Sequence, residues 1–180
     1  MANISHSTLT DPYLHEPKGV AAATSGAVYV ANGSGSGSWR IIPNGYCEYT
    51  SPIGTTLTTP TTFTLIAPST LTKGTQVEFS HNNSGRLTYT GATTVGARIS
   101  FSISFQNTVA AGVADFGLFK NGTPDSIFFS ETAANIGDTL SVSGTVQTTL
   151  STNDYIEVYG QVSAGNIIVE NFGLSINGVY

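Results

Sequence analysis

Three histidines, eleven carboxylates and one thiol are the groups with which this chain could do chemistry. His6, His15 and His81 are few and widely separated, a poor start for a metal cage. His15 and Glu16 are neighbours, but successive side chains of an extended segment point to opposite faces, so the two would not chelate together. His15 reads instead as a hydrogen-bonded interface residue. Asp138, Asp154 and Glu157 sit near turn signals, where oxygen ligands could hold Ca²⁺. The plainer reading of these three is turn capping and solvation. Serines abound, yet no Gly-x-Ser-x-Gly elbow is present. Gly33-Ser-Gly-Ser-Gly37 has glycines but no helical pattern after it, which argues against a phosphate loop. Cys47 is alone and has no His near it in sequence, so a buried free thiol is expected. Any two of the acids could meet in space as a glycosidase pair. No constellation of nucleophile, base and acid is visible, so the chain is expected not to be an enzyme and to need no cofactor.

The elements that would carry these residues are strands. In Arg98-Ile-Ser-Phe-Ser-Ile-Ser-Phe-Gln106, Ile99, Phe101, Ile103 and Phe105 fall on one side and three serines on the other. That period of two fits a strand and defeats a helix. One face is an apolar wall, and the other is small and uncharged, able to lie against protein as easily as against water. Further runs follow the same rule. Thr75 to His81 and Arg86 to Thr90 flank the turn Asn82 to Gly85 and read as a hairpin. Val113 to Phe119 ends in the turn Lys120-Asn-Gly122. Thr139 to Leu150 alternates, Ser151 to Asp154 turns, and Tyr155 to Val162 alternates again. Asn166 to Ile176 closes the series. About eight such strands read as an all-β sandwich.

The leading residues differ in texture. Met1 to about Gly19 has almost no periodicity, and Pro17 biases Glu16 toward extended geometry. Gly26 to Ala31 and Trp39 to Ile42 are short apolar strands around a Gly/Ser connector. Residues 1–54 therefore read as an N-terminal extended arm that a partner orders. The alternative is that their strands join the sandwich as edge strands. Residues 55–180 form the sandwich domain.

Charged residues make up 9% of the 180, against the usual quarter or so, while nine Phe and eight Tyr argue against disorder. A surface so poor in charge suits a protein covered by its own copies or by partners. The net charge is −5 and the six basic residues are scattered, so no nucleic-acid partner is expected. No long apolar run suggests a membrane span, and the opening residues lack the marks of a secretory signal.

Phe116-Gly-Leu-Phe-Lys-Asn-Gly122, Leu150-Ser-Thr-Asn-Asp154-Tyr-Ile156-Glu-Val158 and Asn171-Phe172-Gly173-Leu174-Ser-Ile176 are three motifs that resemble the jelly roll of complement-type globular heads and tumour-necrosis-factor-like trimers. In the second, Asn153 stands where the family has Gly, a change that keeps the turn chemistry. In the third, the Gly follows the Phe directly, a departure from the family spacing. The resemblance implies a C-terminal jelly-roll β-sandwich that forms a homotrimer, with residues of one sheet meeting at the threefold axis. Tyr155, Tyr159 and Phe172 are the candidates for that interface.

A second resemblance lies upstream. Leu14-His15-Glu16-Pro17-Lys18-Gly19, then Gly26-Ala-Val-Tyr29-Val-Ala-Asn32-Gly, then Gly37-Ser-Trp39 resemble the opening of small structural proteins of tailed bacteriophages. This resemblance implies a virion component: a capsid decoration, cement or head-fibre protein. Its anchoring arm would use Tyr13, Leu14, His15, Glu16, Pro17, Tyr29 and Trp39, and its partner would be a major capsid protein or another virion protein. The alternative expectation is a receptor-binding tail-fibre head in which Tyr89, Tyr155 and Tyr159 stack on a host surface glycan. A polysaccharide-degrading enzyme ranks last.

Overall fold

The computed structural model describes residues 22–34, 36–50, 56–57, 62–67, 72–124 and 128–179. The chain divides into two compact units, Met1–Ile42 and Pro43–Tyr180. The described part of the first holds a hairpin of β1 (Val28–Ala31) and β2 (Gly37–Arg40), in which Tyr29 faces Trp39 directly.

The second unit is a sandwich of two antiparallel sheets. One sheet runs β13 (Thr139–Leu150), β9 (Val95–Asn107), β15 (Ile167–Val179), β3 (Asn44–Thr50), β6 (Thr72–Lys73), with β4 (Thr56–Leu57) paired to β15. The other runs β11 (Thr123–Pro124), β10 (Val113–Lys120), β14 (Tyr155–Val162), β8 (Leu87–Tyr89), β7 (Phe79–His81). Two short strands join it: β12 (Phe129–Thr132) pairs with β10, and β5 (Thr64–Leu65) pairs with β14. No α-helix occurs among the described residues.

Alternation builds the core. Ile99, Phe101, Ile103 and Phe105 of β9 are all buried, while the serines between them face outward. Ala114, Phe116 and Leu118 of β10 and Ile156, Val158 and Val162 of β14 approach from the opposite sheet. The Phe105 and Phe116 rings meet across the gap with centroids 5.1 Å apart. Each fully buried ring of this kind contributes about 1.5–3 kcal/mol of hydrophobic stabilisation.

The strand at 44–50 corrects the expected division at residue 54. Gly45, Cys47 and Tyr49 are buried, and β3 pairs with β15 over seven positions, Asn44↔Asn177 to Thr50↔Asn171. This stretch is an inner strand of the larger sheet because its own period-two pattern gives it a core face. Cys47 is a fully buried free thiol, pushed up to about 12 by burial, and so stays protonated.

A second departure lies in β15. Its register against β9 shifts between Val169 and Asn171, leaving Glu170 as an extra residue. Ile167 and Val169 point inward before the bulge; Phe172, Leu174 and Ile176 point inward after it. Without the extra residue, Asn171 and Gly173 would face the core instead.

Candidate functional site

The two outer faces of the sandwich are built in opposite ways. On the larger sheet, pairing across β13, β9, β15 and β3 sets outward side chains in rows. One row is Ser143–Ser102–Gly173–Glu48, and the next is Thr145–Ser100–Ser175–Tyr46. Gln147–Arg98–Asn177–Asn44 follows on one side, and Ser141–Ser104–Asn171 lies on the other. Among the residues of these four rows only Glu48 and Arg98 carry charge. The rest are hydroxyls, amides, a glycine and a tyrosine.

Small side chains leave a trough in this wall of about 400 Å³, lined by Ser102, Ser104, Ser141, Ser143, Tyr46 and Glu48 with Asn171 and Gly173. A second recess of about 350 Å³ lies toward the other end, at Gly96, Gln147, Thr149 and Val179. A Cβ at Gly173 would stand 3.0 Å from Ser102 Oγ, so the glycine keeps the floor low. Polar groups bond sideways along the wall. Asn171 Nδ2 donates to Ser104 Oγ at 2.7 Å, Asn44 Nδ2 to Asn177 Oδ1 at 2.8 Å, and Tyr46 Oη to Glu48 Oε2 at 2.6 Å. The last bond, helped by burial, pushes the Tyr46 phenol up to about 12, so it stays a donor at any physiological pH.

The outer face of the other sheet fills itself. Glu157 is 1% exposed although it points away from the core. Arg86 satisfies it: Nε donates to Oε1 at 2.8 Å and Nη2 lies 2.7 Å from the same oxygen. The guanidinium in turn sits 3.8 Å from the centre of the Tyr155 ring. Tyr159 Oη donates to Glu157 Oε2 at 3.3 Å; burial first, then the charge of Glu157, raises that phenol above its ordinary value. Beside this pair the Phe119 and Tyr159 rings stack at 4.1 Å and Phe63 and Phe128 at 4.6 Å. Gly117 makes room, since a Cβ there would come 2.3 Å from the Phe128 ring. Asp115 accepts from Ser130 and Gln161 in the same face.

The expected site residues lie in separate places, some of them in contact with one another. Tyr155 and Tyr159 lie in the self-filled face. Phe172 lies in the core at 2% exposure, opposite Tyr49 and Ile103, because the bulge at Glu170 turns it inward. Tyr89 is fully buried and its hydroxyl donates to the carbonyl of Thr93 at 2.7 Å, so it offers no ring to a sugar. In the first unit, Tyr29 and Trp39 make an edge-to-face contact at 5.3 Å, with Tyr29 39% exposed. Tyr13, Leu14, His15, Glu16 and Pro17 lie outside the described residues. Sequence reasoning missed Tyr46 and Glu48, whose signal was the alternation Tyr46-Cys47-Glu48-Tyr49. It also missed the Arg86–Glu157 pair, 71 positions apart, for which no local signal exists. Asp154, read as turn capping, does cap: its Oδ2 accepts the Ser151 N–H at 2.8 Å. No group of three or more His, Cys, Asp or Glu able to hold a metal occurs among the described residues.

No protein-family model matches the chain, and no curated protein matches it in sequence. Solved structures do. The Eiger tumour-necrosis factor of S. frugiperda superposes with a TM-score of 0.57 at 9% identity, covering 78% of this chain and 94% of that one. The fold is a jelly roll of the tumour-necrosis-factor and complement type. The globular domain of the zebrafish complement 1qA protein matches this jelly roll at a TM-score of 0.52 and 15% identity, over 77% of this chain and 96% of that one. The PRD1 vertex protein P5 does so at 0.50 and 8%, over 77% and 97%. Identities this low speak for the fold alone. Among the described residues no helix is long and apolar enough to cross a membrane.

Proposed function

We propose that this chain is a structural, non-catalytic protein of a phage virion, acting as a homotrimer. In this reading the jelly roll projects outward. The residues before Pro43, with Tyr29 and Trp39 among their contacts, attach it to a major capsid protein or another virion protein. The observation that carries the reading is the outer wall of the larger sheet. It is broad and recessed and its four rows carry only two charges, Glu48 and Arg98, whereas the opposite outer face already satisfies its own charges and rings. A surface with so little charge can lie against another copy of the chain, since interface cores are depleted in charge. The likeness to the phage PRD1 vertex protein supports a virion setting. The opening motif from Leu14 to Trp39 supports it independently.

The test has two parts. Light scattering of the purified full chain is expected to give three times the chain mass; a monomer at micromolar concentration overturns the trimer. Deleting residues 1–42 is expected to leave the trimer intact and abolish co-sedimentation with empty capsids. Undiminished co-sedimentation overturns the attachment role.

A further inference from the structure

Four asparagines of this chain precede a glycine: Asn32, Asn44, Asn121 and Asn177. In such a pair the unhindered glycine nitrogen can reach the asparagine side chain, provided the backbone can turn. The structure sorts the four. Asn44 and Asn177 face each other in the β3–β15 ladder and share a side-chain hydrogen bond, and the Gly178 N–H is held by the Pro43 carbonyl at 2.8 Å. Asn121 has both ends of its amide engaged: Nδ2 donates to Asp154 Oδ1 at 2.7 Å and Oδ1 accepts the Tyr155 N–H at 2.9 Å. Asn32 sits in the exposed connection of the β1–β2 hairpin. Gly33 there has a φ of +76° and nothing within 4 Å of where a Cβ would stand. The Asn32 Oδ1 accepts two backbone N–H bonds, from Ser34 at 2.9 Å and Ser36 at 3.2 Å.

We propose that Asn32 is a site of spontaneous deamidation and isoaspartate formation in the folded protein. Solvent base takes the Gly33 amide proton, and the nitrogen lone pair forms a bond to Asn32 Cγ. The C=O electron pair moves onto Oδ1, where the two N–H donors already point at the developing charge. Solvent returns a proton to Nδ2, and collapse of the oxyanion expels it as ammonia and leaves a five-membered imide. Water then opens the ring at either carbonyl. Cleavage of the new N–Cγ bond leaves an aspartate, and cleavage of the original peptide bond leaves an isoaspartate whose main chain runs through Cγ. Either product puts a carboxylate at the tip of the hairpin.

The chain contains its own control. Asn82 Oδ1 accepts the same pair of bonds, from the N–H of Ser84 and of Arg86, each at 3.1 Å. There the following residue is Asn83, whose side chain obstructs the attacking nitrogen. The experiment incubates the full-length protein at mildly alkaline pH and follows each asparagine by peptide mapping, with isoaspartate methyltransferase as the label. Asn32 is expected to convert first. Gly33→Ala is expected to slow it several-fold, and Asn83→Gly to bring Asn82 to within a few-fold of the Asn32 rate. In urea the four Asn–Gly sites are expected to convert at similar rates. Conversion of Asn44, Asn121 or Asn177 as fast as Asn32 in the folded protein overturns the assignment. So does an Asn82 that stays slow in the Asn83→Gly protein.

Discussion

The two outward faces of one sandwich teach how differently a sheet can meet its surroundings. Both are made of strands that bury every second residue against the same core. On the β10–β14 side the outward residues are large, and they answer one another: Arg86 with Glu157, Phe119 with Tyr159, Phe63 with Phe128. On the β13–β9–β15–β3 side most are small and neutral, Glu48 and Arg98 being the charged residues of the four rows, and recesses remain. A face that satisfies itself can stay in water. A face that leaves space and hydroxyls is suited to a complementary surface.

The sharpest way to break this contrast is to place a bulky charge on each face in turn. Ser102→Arg, in the floor of the trough, is expected to abolish self-association in light scattering and leave the melting of the isolated sandwich nearly unchanged. Thr132→Arg, exposed at the edge of the other sheet, is expected to leave association intact. Equal effects of the two would erase the distinction.

The next effect concerns stability. Glu157→Gln should destabilise by about 2 kcal/mol in urea unfolding, less than a fully buried pair would lose, because Arg86 remains 35% exposed. A change below the error of the measurement would mean the self-filled face does not depend on its ion pair.

The glycines of the two faces give a finer comparison. Gly117→Ala drives a methyl into the Phe128 ring and is expected to cost roughly 1–2 kcal/mol. Gly173→Ala meets only the Ser102 hydroxyl, which can rotate, and is expected to be close to neutral. Reversal of that order in thermal melts would place the tight packing on the wrong face.

The smallest effect is alkaline. Tyr46 titrates higher folded than unfolded, so its contribution is fully present below pH 10 and is lost as pH rises through about 12. Tyr46→Phe should therefore flatten the loss of stability between those limits, and a phenolate titration should show one tyrosine fewer ionising late. An unaltered alkaline limb would dissolve the Tyr46–Glu48 coupling.

Much of this frame was legible beforehand. The strands Thr139–Leu150 and Tyr155–Val162 have the bounds their alternation predicts, and the turns at Asn82–Gly85, Asn121–Gly122 and Ser151–Asp154 lie where Gly, Asn and Asp put them. These features are local, decided by side-chain period and by which residues tolerate a turn. From sequence β3 reads as part of the arm, because the Gly/Ser connector and Pro43 mask its own alternation. Phe172 faces the core because one extra residue at Glu170 exchanges the two faces of a strand. The alternation around Glu170 does not announce that slip.

The order of residues alone dictates an all-β chain, β9 serines that face away from the core, and a surface with little charge. Those properties follow from the order of apolar and polar residues along an extended backbone, which needs no partner to be expressed. Which strands lie side by side emerges on folding. Folding sets Ser143, Ser102, Gly173 and Glu48 in one row and brings Arg86 to Glu157. The reason is physical: a ladder joins residues by register across the sheet, and register depends on core packing and on a single bulge rather than on distance along the chain.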